Sequence, residues 1–216
     1  DVYDDRYPGT SGGREFVLPE RRADTVVALA TAWIKTQPGK WFAWVHLFDP
    51  HAPYRPPAPF DRDYAWSPYH GEVAFTDSAL SPLFSTAAAG HDGRPTIVIV
   101  TGDHGEGLGD HGEATHGLFA YEATLRVPLL VAQFHAGGPS WDAAGLPGAA
   151  TGGVAVATPV RHVDIVPTVL DLLQFPAAAD LPGRSLLASI APGAGDPKGS
   201  YFEAMSASLN RGWAPL

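Results

Sequence analysis

The sequence of 216 residues contains no cysteine, which excludes disulfides, thiolate metal sites and cysteine nucleophiles within it and leaves the redox compartment open. It also lacks basic runs, and its formal net charge is −9, so nucleic acid is not an expected partner. No stretch approaches the roughly 20 apolar residues that a membrane-spanning helix needs. An acidic chain of this kind can still bind an anionic substrate where a metal ion or a histidine cluster reverses the local field.

Neither end of the sequence carries a recognisable signal. It begins without a methionine and without the basic and apolar segments of a signal peptide. We therefore expect both ends to be cut from a longer protein or trimmed by disorder. Composition and patterning predict a surface loop over 1–19, an α/β core over 20–175 and a weakly structured continuation over 176–216.

The order of secondary-structure elements indicates the fold class. Apolar residues at helical spacing predict helices at 20–36, 71–89 and 163–173, with a short helix at 118–124. Nearly continuous apolar runs predict buried strands at 41–48, 96–101 and 127–132. This alternation predicts an α/β fold with a largely parallel sheet.

The run TGDHGEGLGDHGEATHG at 101–117 directly follows the predicted strand at 96–101 and contains six glycines. Asp103 and His104 place a carboxylate beside an imidazole at a strand end, a combination that suits a divalent cation. The alternative is a plain turn, with Asp103 as a cap and His104 exposed. Such ions take four to six ligands or more, so the remaining ligands must come from elsewhere in the fold.

Two further histidines are candidates for contact with substrate. His51 lies in DPHAPY, within a loop at 49–69 that contains six prolines; it either contacts an anionic oxygen, ligates a second metal, or bonds a backbone carbonyl. His116 either acts as a cation or general acid toward a leaving group, or simply begins a helix. Parallel strands share one rim at their carboxyl ends, so we expect His51 and the pair Asp103 and His104 to form one site.

Other polar residues of the Gly-rich run carry weaker signals. Four of them are expected to be supporting or solvated groups: Glu106, Asp110, His111 and Glu113. The glycines at 107, 109 and 112 match GxGxxG, but the match does not begin at the strand end and encloses an aspartate where a pyrophosphate needs positive potential. We therefore reject a dinucleotide site.

Five motifs occur in an order that resembles the sulfatase family of the alkaline phosphatase superfamily: DPHAPY at 49–54, YHGEVAFTD at 69–77, TGDHGEGLGDHGE at 101–113, HGLFAYEATLRVPLLV at 116–131 and PVRHVDIVPTVLDLL at 159–173. The resemblance implies a mixed, largely parallel sheet between helices, an alkaline-phosphatase-like sandwich that is incomplete at its N-terminus. It also implies metal-dependent hydrolysis of sulfate esters, and an extracytoplasmic or periplasmic location.

The resemblance assigns roles to four residues. It implies that Asp103 and His104 bind a divalent metal, with Ca²⁺ expected and Mn²⁺ or Zn²⁺ as alternatives. It implies that His51 contacts the ester oxygens of an anionic substrate, and that His116 lies toward the leaving group. Such an arrangement stabilises the charge that builds on the ester oxygens.

The sequence departs from the family at the nucleophile. It has no CxPxR or SxPxR motif, so formylglycine is not in this chain, and the acidic pair that completes the family's metal site is also missing. We therefore expect 1–216 to be a partial catalytic domain, inactive as given, whose partner is the remainder of that domain. The alternatives are a phosphodiester or phosphonate ester hydrolase or headgroup transferase of the same superfamily, with a second metal at Asp49 and His51, or a non-catalytic binding module.

Overall fold

The computed structural model describes residues 20–90, 93–135, 138–140, 155–176, 180–187 and 199–204. The expected surface loop at 1–19 and most of the expected continuation at 176–216 lie outside these residues. The chain forms two compact units. The first is built from the residues up to Thr96 together with 134–138, and the second from 97–133 and the residues from Pro139 onward.

Two long helices form the core of the first unit. Helix α1 spans Ala23–Lys35 and helix α3 spans Pro68–Ala89, which confirms both predicted helices, with α3 beginning three residues earlier than expected. The buried face of α1 carries Ala23, Val27, Thr31 and Ile34, spaced three or four residues apart as one side of a helix requires. Pro68 occupies the first turn of α3, where a missing N–H costs nothing.

The proline-rich loop is ordered by packing against α3. It contains a short helix α2, Phe60–Asp63, and three cis prolyl bonds, at Pro50, Pro53 and Pro59. Gly71 of α3 allows the loop to approach closely, since a Cβ at this position would lie 2.8 Å from Cγ of Pro56.

The strand predicted at 41–48 is wrong. The segment is extended, and its side chains alternate between half-buried and exposed, but no strand among the described residues pairs with it. Phe42 and Trp44 are each 84% exposed, so the run is not buried on both faces. An apolar run predicts extended backbone, whereas a strand also needs a hydrogen-bonded neighbour.

The second unit carries most of a three-stranded sheet. Strand β1 is Thr96–Thr101, as predicted, β2 is Leu129–His135 and β3 is Gly138–Ser140, in the order β1-β2-β3. A four-residue helix α4, Glu122–Leu125, replaces the longer helix expected at 118–124. The parallel sense of the sheet stays a prediction.

The last helix is anchored by a buried carboxylate. A 3₁₀ turn at His162–Asp164 leads into helix α5, Ile165–Leu172. Asp164 accepts hydrogen bonds from the backbone N–H of Arg161 and of Arg184, at 3.0 Å each, and pairs with the Arg161 guanidinium at 2.9 Å. The Asp164 carboxylate therefore closes the 3₁₀ turn that leads into α5 and ties this turn to the backbone at Arg184. No helix in the described ranges has both the length and the apolar character to cross a membrane.

Candidate active site

The Gly-rich run folds back on the segment that precedes β2. The N–H of Gly105 donates to the carbonyl of Thr124 at 2.8 Å, and the N–H of Gly107 donates to the carbonyl of Thr115 at 2.7 Å. A Cβ at position 105 would lie 2.1 Å from the carbonyl oxygen of Ala123, a distance that no side chain tolerates. Glycine is therefore required at position 105 so that two backbone segments can touch.

Asp103 and His104 present two ligand atoms side by side. His104 Nδ1 lies 2.8 Å from the carbonyl oxygen of Gly105, and because a carbonyl only accepts, Nδ1 must carry the proton. Whenever the ring is neutral, Nε2 is then the nitrogen that holds the lone pair. Nε2 lies 3.8 Å from Oδ2 of Asp103. A backbone contact that fixes the tautomer of a ligand histidine is typical of metal sites.

These two side chains do not make a complete metal site. In the parts of the chain that the structure describes, no group of three or more His, Asp or Glu side chains converges as metal ligands would. The expectation that Asp103 and His104 supply only part of a ligand set therefore stays a prediction. Calcium takes six to eight oxygen ligands, and two side chains cannot provide them.

His116 lies against the His104 ring and is held by Glu106. The two ring centroids are 4.0 Å apart, so the structure brings these two predicted site residues together. Nδ1 of His116 lies 3.2 Å and 3.4 Å from the two carboxylate oxygens of Glu106, whose side chain is only 5% exposed. A carboxylate only accepts when ionised, so Nδ1 donates and Nε2 is directed away from Glu106. Glu106 is thus a supporting residue, and it is not solvated.

Glu113 is buried, not solvated. It is 2% exposed, and its Oε1 accepts the N–H of Leu118 at 2.7 Å. Its Oε2 has no hydrogen-bond partner within the described residues. Asp110 and His111, by contrast, pair with each other at 3.1 Å and remain about half exposed. The sequence predicts that these residues are either supporting or solvated groups. Glu113 fits the first description, and Asp110 and His111 fit the second.

His51 lies in the proline-rich loop of the first unit. Nδ1 donates to the carbonyl of Ala52 at 2.7 Å, and the ring packs on Phe48 with centroids 4.2 Å apart. The backbone-carbonyl bond that the sequence offers as an alternative is therefore present. This bond uses Nδ1, so the predicted contact with an anion would have to use Nε2, the second ring nitrogen.

The sequence assigns no role to Glu72, although it stands in the quoted YHGEVAFTD motif. Its Oε2 accepts the backbone N–H of His51 at 3.0 Å, and its Oε1 accepts that of Arg55 at 2.5 Å. Burial raises the pKa of the Glu72 carboxyl, which these two backbone donors oppose. No local pattern marks such a residue, since its partners are main-chain groups 17 and 21 residues away.

The side chain of Asp49 binds the backbone at the start of α1. Its Oδ2 accepts the N–H of Ala23 at 2.7 Å, and burial raises the pKa of its carboxyl while this bond opposes the shift. The carboxylate thus satisfies one of the open backbone donors at the helix N-terminus. Asp49 and His51 belong to the first unit, and Asp103, His104 and His116 to the second. The expectation that they share one rim stays a prediction.

Comparison with known proteins gives the family. A sequence profile of the Sulfatase family matches residues 2–175. Arylsulfatase K of Bos taurus is 34% identical over 121 residues, covering 56% of this chain and 20% of that protein. Delta 4,5-hexuronate-2-O-sulfatase of Bacteroides thetaiotaomicron is 32% identical over 116 residues, covering 51% of this chain and 20% of that protein. The matches thus span about a fifth of the length of these curated relatives.

A solved structure agrees at the level of the fold. The phosphonate monoester hydrolase SpPMH from Silicibacter pomeroyi superposes with a TM-score of 0.59 at 20% identity, covering 90% of this chain and 49% of that one. The architecture is therefore of the alkaline-phosphatase-like kind. Since the family profile matches most of the sequence, the chain belongs to the sulfatase family.

Proposed function

We propose that the protein hydrolyses sulfate esters with the help of a divalent metal, and that this chain carries only part of the active site. Membership of the sulfatase family supports ester hydrolysis. One observation carries the assignment to these residues: His116, oriented by a buried carboxylate, packs at 4.0 Å against the His104 ring, which stands beside Asp103. The proposed metal-ligand pair and the proposed proton donor thus lie together.

Each side chain has a definite task in this proposal. Asp103 and His104 would hold the metal, which would polarise the ester and stabilise negative charge. His51 donates a hydrogen bond to a non-bridging sulfate oxygen. As the nucleophile bonds to sulfur and the bond between sulfur and the leaving oxygen breaks, the proton on Nε2 of His116 passes to the leaving oxygen, and the ring becomes neutral. Glu106 keeps Nδ1 of His116 engaged, so that Nε2 faces the ester.

The nucleophile is proposed to come from outside this sequence, which has no CxPxR or SxPxR motif. Purified 1–216 should therefore release no product from 4-nitrophenyl sulfate, 4-nitrophenyl phosphate or bis(4-nitrophenyl) phosphate. Turnover by 1–216 alone would contradict this part of the proposal. The complete gene product should hydrolyse the sulfate ester fastest, and unsaturated hexuronate sulfates are worth including because one relative is named for them.

A phosphonate or phosphodiester hydrolase is the second candidate function. The fold likeness to a phosphonate monoester hydrolase favours it, and the imidazole of His104 suits Mn²⁺ or Zn²⁺ better than an asparagine side chain would. The same three substrates distinguish a sulfatase from a phosphodiester hydrolase, because the ester that the complete gene product prefers identifies the class. A non-catalytic binding module would hydrolyse none of them.

A further inference from the structure

We propose that Glu72 is a positioning residue for His51, acting as a buried clamp on the loop that presents this histidine. The inference rests on the proposed function, in which His51 contacts the ester. Glu72 is 5% exposed. One of its carboxylate oxygens accepts the backbone N–H of His51, and the other accepts the backbone N–H of Arg55. A single carboxylate thus ties together two points four residues apart.

The clamp is itself rigidly held. Glu72 lies on α3 between Gly71, which the loop residue Pro56 touches closely, and Phe75, which is buried and packs edge-to-face on Phe60 with ring centroids 5.9 Å apart. The stretch of helix that carries Glu72 is therefore packed on both sides of this residue, which limits how far its carboxylate can follow the loop.

The consequence for His51 concerns the direction of its ring. The backbone N–H of His51 is bound to Glu72, Nδ1 is bound to the carbonyl of Ala52, and one ring face packs on Phe48. Three contacts from three directions leave little freedom in the direction of Nε2. Removal of the backbone anchor should let the loop shift, and a misplacement of about 1 Å at a reacting group costs up to about 100-fold in rate.

A carboxylate suits this task better than the isosteric amide. Two convergent N–H donors require two acceptor oxygens, and glutamine offers one oxygen and one NH₂ group. Glu72→Gln therefore preserves the shape of the side chain but breaks one of the two hydrogen bonds. It also places the NH₂ group of the glutamine next to a backbone N–H, which is another donor. Asp77→Asn on the same helix is the matched control, because Asp77 is exposed.

The first measurement needs no catalysis. In ¹³C-histidine-labelled 1–216, with the His51 signal assigned by its loss in His51→Ala, we expect E72Q to shift or broaden the His51 ring signal and to speed amide exchange at positions 51 and 55 by about tenfold or more. D77N should change neither. An unchanged His51 signal with unchanged exchange in folded E72Q would overturn the proposal. Should E72Q fail to fold, E72D, which withdraws the carboxylate by one methylene, replaces it.

The second measurement uses the complete gene product. We expect E72Q to lower kcat/KM for 4-nitrophenyl sulfate about 10- to 100-fold, and to cost no more than about twofold when His51 is already alanine. Equal losses in both backgrounds would show that Glu72 does not act through His51, and would refute the positioning role. Absence of hydrolysis by the wild-type protein would instead refute the proposed function, while the ring signal would still decide whether Glu72 positions His51.

Discussion

Glu106 and His116 form a pair in which a carboxylate with a 5% exposed side chain contacts Nδ1 of the imidazole at 3.2 Å. The two residues are ten positions apart, and the turn of the Gly-rich run brings them together. This relationship distinguishes His116 from an ordinary helix-start histidine, because a buried carboxylate determines the direction of its other nitrogen.

The leaving-group dependence of hydrolysis tests this pair. We expect Glu106→Gln to lower kcat/KM about 100-fold for an alkyl sulfate, whose leaving oxygen needs a proton, and about tenfold or less for 4-nitrophenyl sulfate, whose leaving oxygen does not. Steady-state kinetics of the complete gene product on both esters gives the ratio. Glu122→Gln, at an exposed position of α4, is the control. Equal losses on the two esters would argue against proton donation by His116.

The stability of the second unit tests the close backbone contact at Gly105. A methyl group there would lie 2.1 Å from the carbonyl oxygen of Ala123. We expect Gly105→Ala to lower the free energy of unfolding by about 1–3 kcal/mol or more, as overpacking does. Gly39→Ala is the control, because nothing lies within 4 Å of the Cβ it would add. Urea denaturation measures both variants, and equal free energies of unfolding would contradict this expectation.

The pH dependence of stability tests the anchor of α5. Burial alone would raise the pKa of Asp164, but hydrogen bonds from Arg161 and from the Arg184 backbone outweigh it, and its pKa lies below the ordinary value. Because the folded pKa is depressed, this carboxylate stabilises the fold above its unfolded pKa, and the contribution is lost as the pH falls through the folded pKa. Asp164→Asn should therefore cost about 3 kcal/mol near pH 7 and progressively less in acid.

Urea denaturation at about pH 7 and about pH 3 measures this difference. Asp61→Asn, an exposed aspartate of α2 with a loose contact to Arg62 at 3.8 Å, should change stability little at either pH. If Asp164→Asn lowered the free energy of unfolding by the same amount at both pH values, the ionised carboxylate would not be the stabilising species.

The exposed aromatic residues of 41–48 give a prediction about packing. Trp44 is 84% exposed, so Trp44→Ser should change the free energy of unfolding by no more than about 0.5 kcal/mol. Phe75 is 5% exposed and contacts the Phe60 ring, so Phe75→Ala should cost about 3–5 kcal/mol. Thermal unfolding of both variants checks this, and a large loss in the Trp44 variant would mean that 41–48 packs against a neighbour.

Local patterns predict some elements well and fail at others for a physical reason. The β-branched run TIVIVT gives the bounds of β1, and apolar spacing gives α1, since both signals lie within the segment itself. The run at 41–48 has the same apolar character, but whether a strand forms depends on a partner that the segment does not encode. The sequence therefore predicts its extended backbone and not its pairing.

The residues of the candidate site also fall into those that the local sequence reveals and those that it does not. Asp103 and His104 can be recognised from chemistry at a strand end, whereas the role predicted for His116 comes from the family resemblance. The structure brings the two histidines together. Glu72 and Glu106 support two predicted histidines, yet each acts on a residue that only the folded loop brings near. Residue type and spacing give candidates for contact with a ligand, whereas the side chains that contact those candidates emerge only from the tertiary structure.

The most direct test of the account is the hydrolysis of 4-nitrophenyl sulfate by the complete gene product and two variants of its Gly-rich run. Asp103→Asn removes a proposed metal ligand. Asp110→Asn is the matched control, because Asp110 is also an exposed aspartate that neighbours a histidine but has no proposed role at the metal. We expect wild type and Asp110→Asn to hydrolyse the ester at equal rates and to retain a divalent metal. We expect Asp103→Asn to lose both activity and metal. Full activity in Asp103→Asn, or no sulfate hydrolysis by the wild type, would contradict the account.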